Sequence, residues 1–273
     1  MSVAPFGRRL LEITGIEELG AYVVLRAADE GPRAEPGQFA MIAAADGWGG
    51  GERQRPLLPR AFSIARQTHG ETHFLLEDVG PGTRRLAELR AGEGLWVTGP
   101  LGRGFSPPQD GRRAILVGGG VGIAPLAILQ DTLTAPATTV LLGFRDAARA
   151  EGAALLDGAL LASDDGSVGH HGLVTELLHE ELDADPHAAV YACGPAAMLE
   201  TVRRICAERS LPAELALEAG MACGFGACFG CAVARRGGGY LRVCVDGPVL
   251  DAAELDSIDE HAGAPSYPIA GHM

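Results

Sequence analysis

The sequence predicts a multidomain chain of β and α/β type. An antiparallel β-barrel is expected over residues 1–105, a parallel-sheet α/β nucleotide-binding domain over 106–210, and a cysteine module with its tail over 211–273. Three observations predict this. Short β-branched and aromatic runs bounded by Gly, Pro or charged turns fill the chain as far as Thr98. Apolar strands then alternate with helix-length segments, the pattern of βαβ units. Beyond Leu211, the stretch CGFGACFGC gathers three cysteines in nine residues.

In the first unit the expected strands are AYVVLRAA, GQFAMIAA, RAFSIARQ, THFLLEDV and GLWVTG. One helix is expected among them, TRRLAELRAG from Thr83 to Gly92, with Leu86 and Leu89 on one face and glycine at its end. Many strands and one helix describe a small barrel. Gly99 to Arg113, rich in Gly and Pro, reads as a linker.

After it, AILVGGG is a buried strand running into a glycine turn, and IAPLAILQDTL is an apolar helix. TTVLLGFR, ALLASDDG and AAVYACG follow as strands, separated by the helical stretches ARAEGAALLDG and LVTELLHEEL; PAAMLETVRRICAER closes the unit as a helix. The cysteine segment then leads into a hairpin, CAVARRGGGYLRVCVDG, and an acidic, Pro-containing tail.

Composition narrows the function classes. The net charge of −13 has no basic stretch to set against it, which argues against nucleic-acid binding. No apolar run is long enough to cross a membrane, and the opening MSVAPFGRRLLEITG lacks the apolar core of a signal peptide. A soluble cytoplasmic protein is the expectation. Six cysteines in such a setting point to metal or redox chemistry rather than disulfides.

Four of the cysteines, Cys223, Cys228, Cys231 and Cys244, are spaced C-x4-C-x2-C-x12-C. A [2Fe–2S] cluster takes four thiolates, and x4/x2 followed by a distant fourth cysteine is the plant-type spacing. Glycines 224, 226 and 230 let the loop curl and bring amides near the sulfur atoms. Structural zinc also takes four cysteines, but it favours two short knuckles, and here there is one. Of the remaining two, Cys206 reads as helix core. Cys193, in Tyr191-Ala192-Cys193-Gly194-Pro195 at a strand end, is read equally as a pocket wall or as core.

Two further motifs bear on cofactors. In Arg60-Ala61-Phe62-Ser63-Ile64 the arginine offers a planar fork for phosphate, the aromatic can cover a ring, and the serine can bond a ring nitrogen. Alternation along a strand explains Phe62 and Ile64 equally well. The motif gains weight from Gly80-Pro81-Gly82-Thr83, a helix start suited to a pyrophosphate, and together they favour a flavin. Gly118, Gly119, Gly120 and Gly122 form a strand-to-helix turn before Pro125. It is not a strict G-x-G-x-x-G, but it leaves the same unobstructed approach to a helix start. Asp164-Asp165-Gly166-Ser167 reads as a polar turn, and His170 and His171 as exposed loop residues. No catalytic triad or carboxylate pair is recognised.

These residues carry a resemblance. PGQF at Pro36–Phe39, then RAFSI, GPGT, GGGVGIAPL and YACGP, resemble the ferredoxin–NADP reductase superfamily. The added LEAGMACGFGACFGC, with SDDGSVGHHGLVTELL, is similar to the electron-transfer subunit of the two-subunit, NAD-dependent dihydroorotate dehydrogenase family, over residues 8 to 250. Ala61 departs from it, standing where that family often has proline. The resemblance implies FAD on Arg60, Phe62, Ser63, Ile64, Gly82 and Thr83. It implies [2Fe–2S] on Cys223, Cys228, Cys231 and Cys244, and NAD at Gly118, Gly119, Gly120, Gly122, Cys193, Gly194 and Pro195. It further implies a heterotetramer with an FMN-containing catalytic subunit that oxidises dihydroorotate in pyrimidine biosynthesis. Arg145 and Asp146 pull in opposite directions on NAD against NADP, and the family gives NAD. Two kinds of alternative stand beside this reading. One is a same-module subunit of a ferredoxin:NADP oxidoreductase, sulfide dehydrogenase or hydrogenase; the other is a non-enzymatic redox sensor or zinc-stabilised binding module.

Overall fold

The computed structural model describes residues 7–49, 56–68, 70–133 and 138–258; the acidic, Pro-containing tail of the sequence lies beyond them. Six strands close into a barrel: β1 (Arg8–Leu19), β2 (Tyr22–Ala28), β3 (Phe39–Ala44), β4 (Arg60–Thr68), β5 (Glu71–Glu77) and β6 (Gly94–Leu101), in the order β1-β2-β5-β4-β3-β6. Every pairing around the barrel is antiparallel. Closure removes the sheet edges. Ile13, Leu25, Ile42, Phe74 and Leu95 fill the interior with no exposed surface. The twelve-residue β1 is the longest strand, yet its charged positions hide it in sequence: Leu11 and Ile13 are buried, while Arg8, Glu12, Glu17 and Glu18 are exposed. Helix α1 (Pro81–Ala87) is shorter than expected and ends before Leu89, although Leu86 and Leu89 are both buried as predicted.

The second unit is a seven-stranded sheet. It comprises β7 (Arg113–Gly119), β8 (Thr138–Phe144), β9 (Ala159–Ser163), β10 (His170–His171), β11 (Ala188–Cys193) and β12 (Ala213–Ala216), closed at one edge by a strand introduced below. The helices are α2 (Ala124–Thr132), α3 (Ala147–Ala150), α4 (Val174–Ala184) and α5 (Ala196–Glu208). The expected helix over ARAEGAALLDG divides into the four-residue α3 and a 3₁₀ turn, Glu151–Leu155. The cysteine segment carries only the hairpin β13 (Ala232–Ala234) and β14 (Tyr240–Arg242). The chain then returns to the sheet as β15 (Val249–Asp251), antiparallel on β12, so the sheet order is β10-β9-β8-β7-β11-β12-β15. The remaining pairings in the sheet are parallel. From β7 the chain moves outward to β8 and β9, then crosses back to β11 on the other side of β7. The C-terminal ends of β7 and β11 therefore flank the switch point where α/β sheets bind ligands.

Candidate functional site

Two contiguous cavities open at that switch point. The first, about 260 Å³, lies between the barrel and the sheet, walled by Phe62 and Ser63 of β4, Thr83 of α1, Gly122, Cys193 and Met221. The second, about 650 Å³, is walled by Gly119, Gly120 and Gly122 after β7, Gly194 and Pro195 after β11, and Arg145 after β8. Glu77, Val79, Val121, Gly122 and Glu218 line both. The glycine turn and the YACGP end thus meet a barrel face bearing the RAFSI motif. Gly122 has a backbone reason to be glycine: a Cβ there would lie 2.5 Å from the carbonyl oxygen of Cys193. That close approach lets the two strand ends share one floor.

The remaining predicted positions sit around these walls. Ile64 is packed in the barrel core and Gly118 within the sheet, and neither lines a cavity. Gly82 lies under Arg60, where a Cβ would meet the guanidinium at 2.7 Å; Arg60 itself donates to the Leu58 carbonyl and stands over Trp48. The Thr83 hydroxyl accepts from the amides of Val79 and Gly80, tying the start of α1 to the end of β5. Cys193 is both things the sequence left open: it is buried, and it lines the first cavity. Burial pushes its thiol well up from the ordinary range, with the nearby Glu218 adding to the effect.

Asp146 caps α3 through the Arg149 amide and pairs with the Arg149 side chain at 2.6 Å. Of the two opposed charges after β8, it is Arg145 that lines the larger cavity. Asp164 lines it too, while Asp165 accepts from the Ser167 amide in a turn. His171 is exposed as expected; His170 is half-buried against Glu176 at 2.5 Å.

The cysteine loop starts beside the first cavity. Leu217, Glu218, Ala219 and Met221 line that cavity, and Cys223 follows two residues later. Two residues span at most about 7 Å. Gly224, at φ +79°, lets the loop lie flat on the barrel, since a Cβ there would be 2.5 Å from Met41 of β3. The four thiols fall into two pairs. Cys231 and Cys244 are buried with their sulfurs 3.2 Å apart. Cys223, half-buried, interacts with the side chain of exposed Cys228. Burial raises the Cys223 thiol, but the Phe225, Cys228 and Ala227 amides and the Cys228 thiol outweigh it and bring it down to about 6. Cys244 goes the other way, to about 12, through burial and the adjacent Cys231. Among the described residues, no three His, Cys, Asp or Glu side chains converge on one point as a single metal ion requires.

Residues 218–256 match the model of the iron–sulfur cluster binding domain of dihydroorotate dehydrogenase B. The electron transfer subunit of dihydroorotate dehydrogenase B (NAD(+)) from Desulforamulus reducens is 35% identical over 265 residues, covering 92% of this chain and 97% of that one. The chain belongs to this family. Its counterpart from Caldanaerobacter subterraneus is 37% identical over 83% of this chain and 89% of its own length. Among solved structures, an NADH-dependent reduced ferredoxin-NADP oxidoreductase superposes with a TM-score of 0.77 at 27% identity, covering 91% of this chain and 90% of that one.

For a member of the dihydroorotate dehydrogenase B electron transfer subunits, the sequence motifs left several cavity walls unidentified. Leu75, Glu77 and Val79 follow from the barrel strand facing the nucleotide turn, and Pro248 from the return of the chain to the sheet. Their sequence surroundings are ordinary. Glu218 had a signal: it is the one acid of the otherwise apolar stretch LALEAGMA, Leu215 to Ala222.

Proposed function

We propose that this chain is an electron-transfer subunit, carrying electrons from the FMN of a dihydroorotate-oxidising partner through [2Fe–2S] and FAD to NAD+, as part of a cytoplasmic heterotetramer serving pyrimidine biosynthesis. One observation carries the proposal: the cysteine loop begins two residues from the wall of a cavity that opens directly into the glycine-turn cavity. That neighbourhood supports an order of cluster, flavin and nucleotide. Among the described residues no helix is long and apolar enough to cross a membrane.

The residues fit these groups. The close Cys231–Cys244 pair, with Cys223 and Cys228 interacting beside it, supplies four thiols as two irons sharing a cluster require. In this reading Cys223 and Cys228 hold the outer iron, and Cys231 and Cys244 the inner one. Phe62, Ser63 and Thr83 bound the flavin ring space, Ile64 backs it from the barrel core, and Arg60 with Gly82 serves the phosphate end. Gly119, Gly120, Gly122, Gly194 and Pro195 offer bare backbone to the nucleotide, with Gly118 packed behind them and Cys193 at the meeting of the two spaces. When bound, the cluster carries electrons singly and the flavin pairs them for hydride transfer to NAD+. The chain supplies position and shields the site from water.

Anaerobic purification of the tagged chain from its own cells tests this. The expected result is a flavin and iron–sulfur visible spectrum with an FMN-bearing, dihydroorotate-oxidising subunit in the same complex. A colourless protein with stoichiometric zinc would overturn the cofactors. Co-purification with a different redox subunit would favour a second reading, a subunit of a ferredoxin-NADP oxidoreductase, which the 0.77 TM-score neighbour supports.

A further inference from the structure

Electrons that arrive through a cluster bring no protons. Reduction of a flavin by two single electrons takes up one proton, and hydride transfer to NAD+ removes those two electrons and that proton together. Each turnover therefore draws one proton from water into a space closed by the barrel and the sheet. Some group of the chain must carry it.

The acids lining the two cavities are Glu77, Asp78, Asp164 and Glu218. Glu77 is held by Arg149 at 2.7 Å, and Asp78 by Arg84 at 3.2 Å. Asp164 lines only the nucleotide cavity, at the end of β9. Glu218 lines both cavities, and among the described residues it has no hydrogen-bond or ion-pair partner. Its side chain is exposed by surface area yet enclosed by surrounding protein, as befits a residue standing in a cleft. The surface it exposes faces the space that cofactor and nucleotide would share.

We propose, resting on the function above, that Glu218 is the proton carrier of the flavin site, delivering a proton as electrons enter from the cluster and regaining it from water through the nucleotide cavity. The balance is simple: the carboxyl O–H breaks, the ring takes up that proton with two electrons, and the carboxylate recovers a proton from solvent before the next turnover. Enclosure supports the assignment by raising the carboxyl above its ordinary range, the direction that suits a proton donor. The other titratable or charged groups facing these cavities are Glu77 at the end of β5, Asp78 after it, Arg145 after β8, Arg149 on α3, Asp164 after β9 and Cys193 on β11. Of these, Cys193 is the group whose thiol registers the Glu218 charge.

The test separates electrons from protons. In the anaerobic holoprotein, flavin bleaching is followed by stopped flow with two reductants, the methyl viologen radical (one electron, no proton) and NADH (hydride). In Glu218→Gln the viologen reaction should slow about a hundredfold relative to the NADH reaction, and should lose its pH dependence and its solvent deuterium effect. Equal rate ratios in variant and wild type, both carrying flavin, would overturn this proposal and leave the function reading intact. A colourless wild-type chain would overturn both. Should Glu218→Gln lose its flavin, the wild type still decides: redox-difference infrared spectra with ¹³C-glutamate must contain a shifted protonated-carboxyl band. Its absence overturns the proposal.

Discussion

In the sheet, β11 buries all six of its residues and β7 buries all but Arg113. In the cysteine loop, Phe225 and residues 227–230 are exposed, and the two strands of the module have three residues each. The sheet and barrel have cores of their own, in which each buried aliphatic side chain contributes roughly 1.5–3 kcal/mol. The module has a few apolar anchors, Val233, Leu241 and Val243, and otherwise relies on its four cysteines. One region is held by packing; the other, in the proposed reading, depends on the group its cysteines hold. The first is expected to keep its shape without its cofactors and the second to loosen.

The largest test of that contrast is Cys231→Ser. Iron should fall from two per chain towards zero, and trypsin should gain rapid access to Arg235 and Arg236 in the hairpin, because metal binding and local folding are linked. The flavin absorbance and the main thermal transition should survive. Full iron content, or collapse of the whole chain, would break the comparison. Cys228→Ser should lose the same iron but disturb the module less, since Cys228 is exposed and Cys231 is buried.

The same contrast explains what could be read from the sequence. Period-two and helical patterns come from burial on one face, so they located β2 to β9, β11 and most helices. The iron–sulfur binding segment was legible because metal chemistry fixes cysteine spacing. Strand β1 was missed because its Arg and Glu residues dilute the apolar signal. β12 and β15 were missed because four- and three-residue strands make sense only when laid against their neighbours, β12 on β11 and β15 on β12. Glu218 stayed unassigned because an acid standing in a cleft gains meaning only from the two spaces it faces.

Within the packed region the next largest effect belongs to Asp29. Its carboxylate is fully buried, takes Arg9 in two hydrogen bonds of 2.8 and 2.6 Å, and accepts from Thr72 and the Gly31 amide. Asp29→Ala should cost about 3–5 kcal/mol by stranding Arg9, with iron and flavin content unchanged. Burial alone would raise this carboxyl, but the Arg9 hydrogen bond, the Gly31 amide, the Arg9 charge and Thr72 together hold it below its usual value. Its contribution is therefore complete above pH about 4 and is lost as pH falls through the lowered folded value. Urea melts between pH 6 and 2 should slope less in Asp29→Asn than in the wild type. Equal slopes would remove Asp29 from the account.

Gly122→Ala probes the packed region where it meets the cofactors. The new methyl would stand 2.5 Å from the Cys193 carbonyl, so the turn must move away from β11. A loss of about 1–3 kcal/mol is expected, with weaker NAD(H) binding by fluorescence quenching and an unaltered cluster spectrum. If nucleotide affinity held, the glycine turn would be a packing device only.

The smallest effect sharpens the comparison from the opposite side. Arg66 of β4 reaches across to Asp131 of α2 at 2.7 Å and to the Leu155 carbonyl, joining barrel to sheet. By geometry it is a bidentate bridge between domains. Both partners, however, are about one-third exposed or more, at 34% and 41%. Water and salt screen such pairs, and ordering two long side chains offsets much of what remains. Arg66→Ala should therefore shift chemical unfolding by less than about 1 kcal/mol, and the shift should shrink further in 1 M salt. If it instead approached the Asp29 effect, the barrel and sheet would be joined by charge rather than by their shared apolar contacts, Tyr22 and Ala65 against Ile123 and Leu126.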